Sequence, residues 1–197
     1  MEPSSNILIT GESGFLMSAL APSLIGNVIK GYGDIRLKKN YNNLQIVMHF
    51  AGPSDELDFK NTSKTATTMI NGTINALEVA KTNKAKFVFA SSMAATFVEN
   101  NYGAYKLAME HYIQDTYDNY LILRIPRVYG GGRKKGLMRK IRDNLVPKHD
   151  MQKLVQFIDI HDFIEETINC LSLKNEIYTY KNYRVHTIDE IKKKYSL

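Results

Sequence analysis

Asn6-Ile-Leu-Ile-Thr-Gly11-Glu-Ser-Gly14-Phe15-Leu16 is the stretch whose reading decides the fold of this 197-residue chain. Ile7, Leu8 and Ile9 are apolar without alternation, the pattern of a short strand buried on both faces. An apolar helical pattern follows, through Leu24. Strand, glycine turn and helix is the setting in which a glycine pair binds phosphate. Gly11 permits the tight turn, and Gly14 lets a pyrophosphate approach the backbone at the helix start. The third position of the pattern carries Met17 in place of a small residue.

The same alternation continues outward from this stretch. Residues 45–50 read as an apolar strand that runs into Ala51 and Gly52. Residues 62–81 carry Met69, Thr73, Ala76, Leu77 and Ala80 at helical spacing. Residues 86–90 are a strand ending at Ser91 and Ser92, residues 102–117 a helix, and residues 120–125 another strand. Strands alternating with helices predict an α/β fold, a doubly wound parallel sheet with right-handed crossovers. In such sheets ligands sit at the carboxyl ends of the strands, where Gly11, Ala51, Ser92 and Pro126 all fall. Residues 1–130 read as the dinucleotide-binding core. Residues 131–197 read as a short segment on the substrate side, packed on the same core, effectively one domain. Only 38 residues separate Gly11 from His49.

Tyr102-Gly-Ala-Tyr-Lys106 brings chemistry to that edge. Residues four apart share a helix face, so Tyr102 and Lys106 reach the same place. A tyrosine hydroxyl ionises only near about pH 10. A neighbouring ammonium favours the phenolate. With a hydroxyl from a strand end, the pair suits proton transfer to or from a carbinol or carbonyl oxygen. Tyr105 has Met109 four residues on, so the register is unique. Asp34 lies 23 residues after Gly11, near the spacing at which an acid meets the adenosine ribose. Arg36, Lys38 and Lys39 follow it and suit a 2′-phosphate, so NAD and NADP both stay open. A plain turn acid is the competing reading of Asp34.

Composition narrows the partners. Hydrophobic residues make up 44% and charged residues 23%, an ordinary globular balance. Cys170 is the only cysteine, which excludes an internal disulfide framework. The five histidines show no pair at metal-ligand spacing, so no metal is expected; His161-Asp162 reads as the start of the helix holding Phe163. No apolar span is long enough for a membrane, and a cytoplasmic protein is expected. Net charge is +6, which favours anionic partners. Residues 133–142 hold six basic residues in ten and no acid. That decamer is a solvated face or a diphosphate clamp, with Arg133 and the nearby Arg127 as its forks. It lacks the interleaved aromatics that stack nucleic-acid bases.

In order and spacing, ITGESGFL, VMHFAG, INGTINALEVA, FVFASSMAAT, YGAYK, LRIPRVYGGG and FIDIHDFIEETI resemble the extended short-chain dehydrogenase/reductase group, the NAD-dependent epimerase/dehydratase family. The resemblance runs from about Ile7 to Ile188. It implies a Rossmann sheet binding NAD or NADP, a nucleotide-sugar substrate, and a homodimer through helices 62–81 and 102–117, with Leu77, Ala108 and Tyr112 on their outward faces. By position it makes Tyr102 the general acid/base and Lys106 the ligand of the nicotinamide ribose. Ser92 becomes the third catalytic hydroxyl, with Ser91 as the fallback. Gly11, Gly14, Phe15 and Leu16 match the phosphate turn. Ala51 and Gly52 match the backbone along the cofactor, and Pro126 the residue beside the nicotinamide. Met17, Met69, Arg127 and Asp159 depart from the family pattern. So does the short span from Gly11 to His49, which the resemblance makes an abbreviated second βαβ unit lacking at least one usual element. Dehydratases of the family carry Asp-Glu after the catalytic hydroxyl. Met93 and Ala94 stand there in this chain, which leaves 4-epimerisation or keto-sugar reduction. The reading from a different class is a non-catalytic protein that binds a dinucleotide or an anionic polymer such as RNA.

Overall fold

A computed structural model describes residues 5–31, 34–37, 40–53, 62–130 and 135–194. The strands are β1 (Asn6–Thr10), β2 (Asn27–Lys30), β3 (Ile46–His49), β4 (Lys86–Ser92), β5 (Tyr120–Ile125), β6 (Arg127–Tyr129), β7 (Leu154–Asp159), β8 (Glu176–Thr179) and β9 (Arg184–Thr187). The α-helices are α1 (Phe15–Leu20), α2 (Thr62–Asn83), α3 (Asn101–Thr116), α4 (Gly136–Arg142), α5 (Ile160–Cys170) and α6 (Ile188–Lys194). Six strands form one sheet in the order β2-β1-β3-β4-β5-β8, every pair parallel. A second sheet, β6-β7-β9, is capped by α4 and α6 around Tyr129, Ile141, Phe157 and Ile191.

Alternation within the buried strands splits the core in two. Ile7, Ile9, Val88, Leu121 and Leu123 join one cluster with Met17 of α1 and Phe163 of α5. Leu8, Phe87, Phe89 and Ile122 join the other with Leu77 of α2 and Ile113 of α3. The apolar runs are continuous in sequence because both faces are covered. The chain is therefore the α/β, doubly wound parallel architecture that the sequence predicts.

The short spacing between Gly11 and His49 has a clear counterpart. In a doubly wound sheet of order 3-2-1-4-5-6, another strand lies outside the second. Here β2 is the edge, and among the described residues no helix joins it to β3. The sequence reading passes over β2. Four residues on an edge, with the burial of a half-covered ladder, give too weak a pattern to register.

Three further details correct the sequence reading. The helical pattern to Leu24 is two pieces, α1 and a 3₁₀ turn Ala21–Ser23 with Pro22 in it. Proline fits such a first turn but ends the regular helix before it. Helix α5 is capped by Asp159, whose carboxylate accepts from His161 N at 2.8 Å, rather than by His161-Asp162. Leu77 does not face outward; it is fully buried against the sheet, while Ala108 is exposed and Tyr112 half-buried.

Candidate active site

Four loops meet at the carboxyl edge of the large sheet because the registers bring the strand ends level. Thr10 pairs with His49, and Ser92 pairs with Ile125. Gly11, Ala51 and Pro126 follow these ends directly or within two residues.

Gly11 adopts φ +79°, a conformation open to glycine at little cost. A Cβ there would meet Ala51 N at 2.7 Å and Phe50 C at 2.8 Å. The turn thus presses on the end of β3, and only a residue without a side chain fits. Gly14 N donates to Gly11 O at 2.9 Å and closes the turn. Gly14 is the N-cap of α1 and offers no side chain to the first N–H groups. Phe15 and Leu16 are half-buried and pack on the core below; Met17 is wholly inside it. Ala51 is half-buried, Gly52 exposed with φ +150° and Pro126 buried.

Asp34 follows β2 at the same edge and lines a depression with Thr10, Gly31, Ile35, Gly72 and Asn75. Its carboxylate accepts from Arg36 N and from Arg36 Nε, each at 2.9 Å. Arg36 engages both carboxylate oxygens, so Asp34 orders its own turn at the rim of the depression.

Helix α3 is capped by Asn100, whose side chain accepts from Gly103 N at 3.1 Å. Its first turn lies against the 3₁₀ turn Met93–Ala95, which Ser92 caps by accepting from Ala94 N at 3.2 Å. A Cβ on Gly103 would stand 2.3 Å from Ala94 O. Glycine at 103 thus lets the Tyr102 end of α3 close on the Ser92 end of β4. The reading of the sequence misses this position, although a glycine in a first helical turn beside a candidate tyrosine is a visible signal.

Tyr102 is half-buried, and Lys106 Nζ lies 5.8 Å from its ring centroid. Lys106 is buried, sits over the Phe89 ring at 4.7 Å, and donates to Ala90 O at 2.6 Å. Loss of hydration lowers its pKa to about 8, with Glu110 opposing the shift. Ser91 is buried and donates to Glu110. Ser92, one residue on, ends β4 and is held apart from Glu110, capping the 93–95 turn against which the Tyr102 end of α3 lies.

His49 is buried under this edge. Thr73 Oγ1 donates to Met69 O at 2.6 Å, so its oxygen is left to accept from His49 Nε2 at 3.2 Å. Nδ1 then accepts from Thr10 Oγ1 at 2.8 Å. One neutral tautomer satisfies all three groups. Burial, and secondarily the charge of Lys106, bring its pKa down to about 3.

Arg127 opens β6 next to Pro126; the residue is exposed overall, yet loss of hydration around its guanidinium lowers its pKa, with the charge of Glu99 opposing the shift. Arg133 lies outside the described residues, so its place beside Arg127 rests on sequence alone. Among the described residues no group of three His, Cys, Asp or Glu could hold a metal ion. No helix of these residues is long and apolar enough to cross a membrane.

A family model described as the NAD dependent epimerase/dehydratase family matches residues 33–185. No curated protein sequence matches the chain. Among solved structures, the UDP-glucose 4-epimerase of Thermus thermophilus, in complex with NAD, superposes with a TM-score of 0.76 at 19% identity. The match covers 94% of this chain and 80% of that one. The dTDP-4-dehydrorhamnose reductase of Bacillus anthracis, in complex with NADP, gives 0.78 at 17% identity, covering 97% and 79%. The ADP-L-glycero-D-manno-heptose-6-epimerase of Helicobacter pylori gives 0.74 at 21% identity, covering 96% and 80%. At these identities the likeness establishes the fold.

Proposed function

The chain belongs to the NAD-dependent epimerase/dehydratase family, and from that premise we propose that it is an NAD(P)-dependent epimerase or reductase of a nucleotide-activated sugar. The observation that carries the reading is the Tyr102–Lys106 pair, with the ammonium 5.8 Å from the ring, closed against the end of β4 that holds Ser92.

The residues present fit a dinucleotide. The Gly11 cradle, which a Cβ would fill, and the uncapped start of α1 suit its pyrophosphate. Phe15 and Leu16 shape that turn, and Asp34 lies at the rim of the depression where the adenosine ribose would rest. Ala51, Gly52 and Pro126 line the path toward the nicotinamide. Lys106 has three N–H donors and spends one on Ala90 O, which leaves two for ribose hydroxyls. When bound, the nicotinamide would accept and return hydride in epimerisation, or donate it to the keto carbon in reduction.

The chain's own groups handle the proton. Tyr102 exchanges it with the carbinol or carbonyl oxygen of the sugar, and Ser92 holds that oxygen in place. The ammonium of Lys106 favours the phenolate, an effect strengthened by the low dielectric around Phe89. Met93 and Ala94 supply no acid pair for elimination of water, so 4-epimerisation or keto-sugar reduction is the chemistry that remains. Arg127, with Arg133, takes the sugar diphosphate, for which an arginine fork is suited. A homodimer through α2 and α3 completes the reading, with exposed Ala108 and half-buried Ile70, Ile74 and Tyr112 on the contact face.

The test is cofactor-dependent turnover across UDP-, GDP- and dTDP-linked hexoses and 4-keto-hexoses. Turnover of one such sugar supports the reading; a protein that binds cofactor and turns over none of them removes it. Light scattering at micromolar concentration checks the dimer, and a monomer contradicts it.

A further inference from the structure

Lys106 and Glu110 stand one helical turn apart on α3 and grip consecutive residues of β4. Lys106 takes Ala90 O and Glu110 takes Ser91 Oγ, immediately before Ser92. Glu110 is entirely removed from solvent, with 0% exposure. Arg124 of β5, the register partner of Ser91, holds it as a fork. Arg124 Nη2 donates to Oε2 at 2.6 Å, and Nε reaches Oε2 at 3.1 Å and Oε1 at 3.2 Å.

A buried ion pair is a poor device for stability alone, because well-packed apolar residues of similar volume serve as well or better. Something else must justify a carboxylate at this position. Its neighbour supplies the reason. Lys106 is surrounded by groups that do not compensate its charge. His49 of β3 is neutral and committed to Thr10 and Thr73, and Phe89 and Ala90 of β4 offer a ring and one carbonyl. Arg124 of β5 is cationic, and Tyr102 completes the helix face. Glu110 is the acid that opposes the loss of charge at Lys106.

We infer that Glu110 is a positioning residue of the site: it is the buried counter-charge that keeps Lys106 an ammonium, and its bond to Ser91 fixes the end of β4 so that Ser92 faces Tyr102. This rests on the proposed roles of Tyr102, Lys106 and Ser92, but its test does not need a substrate. Titration of Lys106 by NMR in protein with labelled lysine side chains, the signal assigned with Lys106→Met, reads the ammonium directly. Glu110→Gln keeps the shape and one acceptor oxygen, and exchanges the other for an amide group that cannot accept.

In the folded Glu110→Gln protein, Lys106 is expected to lose its proton at least about one pH unit below the wild type. Glu110→Asp, which retains the charge, should restore most of that difference. If Glu110→Gln fails to fold, Arg124→Gln, which removes the competing cation and leaves the Glu110 carboxylate to Lys106, should move the Lys106 titration the other way, upward by a comparable amount. An active enzyme should also lose the alkaline limb of its pH-rate profile about one unit earlier in Glu110→Gln, because that limb follows the ammonium. Lys106 titrating within about 0.3 unit of wild type in either folded variant overturns the inference, since a purely structural pair would change melting temperature and leave Lys106 unmoved. Failure of every sugar to react would instead leave this NMR result standing and count against the proposed activity.

Discussion

Gly103 lies so close to Ala94 that a Cβ on it would meet the Ala94 carbonyl oxygen at 2.3 Å. The obstacle is backbone, so it cannot swing aside as a side chain would. Gly103→Ala must lift the first turn of α3 or push back the 93–95 turn. Either movement separates Tyr102 from Ser92. The expected outcome is a loss of stability on the order of 1–3 kcal/mol, as for other overpacking. Turnover should fall further than cofactor affinity. Thermal melting and steady-state kinetics on one preparation check both, and an unchanged kcat would speak against the contact as a determinant of the site.

Gly11 carries the same argument to the cofactor. Its φ of +79° and the backbone of Ala51 at 2.7 Å both exclude a side chain. Wild-type protein should be stabilised by NAD(H) or NADP(H) well above the effect of AMP. At a hundredfold excess over the dissociation constant the gain is about 2.7 kcal/mol, visible as a melting shift. Gly11→Ala should lose most of that shift. Absence of a shift with all four dinucleotides at millimolar concentration in the wild type would count against the phosphate turn.

His49 makes a pH prediction whose sign is fixed. An unfolded histidine takes a proton near about pH 6.5, whereas the buried ring does so only near 3. Between those values the unfolded chain binds a proton that the fold refuses, so unfolding becomes easier as pH falls. The contribution is complete above about 6.5 and is lost at up to ~1.4 kcal/mol per pH unit below it. Urea unfolding at pH 7 and at pH 4.5 should show a smaller drop in His49→Gln than in the wild type. Equal drops in the two proteins would place the acid sensitivity elsewhere.

Much of this geometry is legible in the sequence alone. Continuous apolar runs at Ile7–Ile9 and Phe87–Phe89 mark strands covered on both sides, and the glycine turn marks the edge that matters. What escapes is whatever depends on a partner distant in sequence. Ser91 and Ser92 are indistinguishable in a string; only their partners, Glu110 for Ser91 and the 93–95 turn for Ser92, separate them. Glu110 itself continues the Tyr102–Lys106 stripe by one more turn, so spacing could have exposed it. Leu77 reads as available for an outward face because helix periodicity fixes a stripe but not which neighbour covers it. The four-residue β2 leaves too little pattern to find.

Arg127 separates the sugar from the dinucleotide. It opens β6 beside Pro126 and is exposed, so truncation leaves no buried partner behind. Arg127→Ala should weaken UDP- or dTDP-sugar binding by about tenfold or more, the loss of one charge-assisted contact, with dinucleotide affinity unchanged. Calorimetric titration of both ligands resolves the two effects. Steep, salt-dependent binding of RNA or DNA, with no affinity for any nucleotide sugar, would favour the polymer-binding alternative.

The central claim is that Tyr102 acts on the substrate oxygen while Lys106 serves both the tyrosine and the cofactor. Tyr102→Phe removes one oxygen and keeps the ring beneath the Lys106 ammonium. The decisive measurement is cofactor-dependent turnover of Tyr102→Phe beside its dinucleotide affinity, with Lys106→Met as the companion. Tyr102→Phe should bind dinucleotide as the wild type does and lose turnover by ~10²–10⁴-fold, whereas Lys106→Met should weaken the dinucleotide as well. A Tyr102→Phe protein with full turnover would contradict the mechanism.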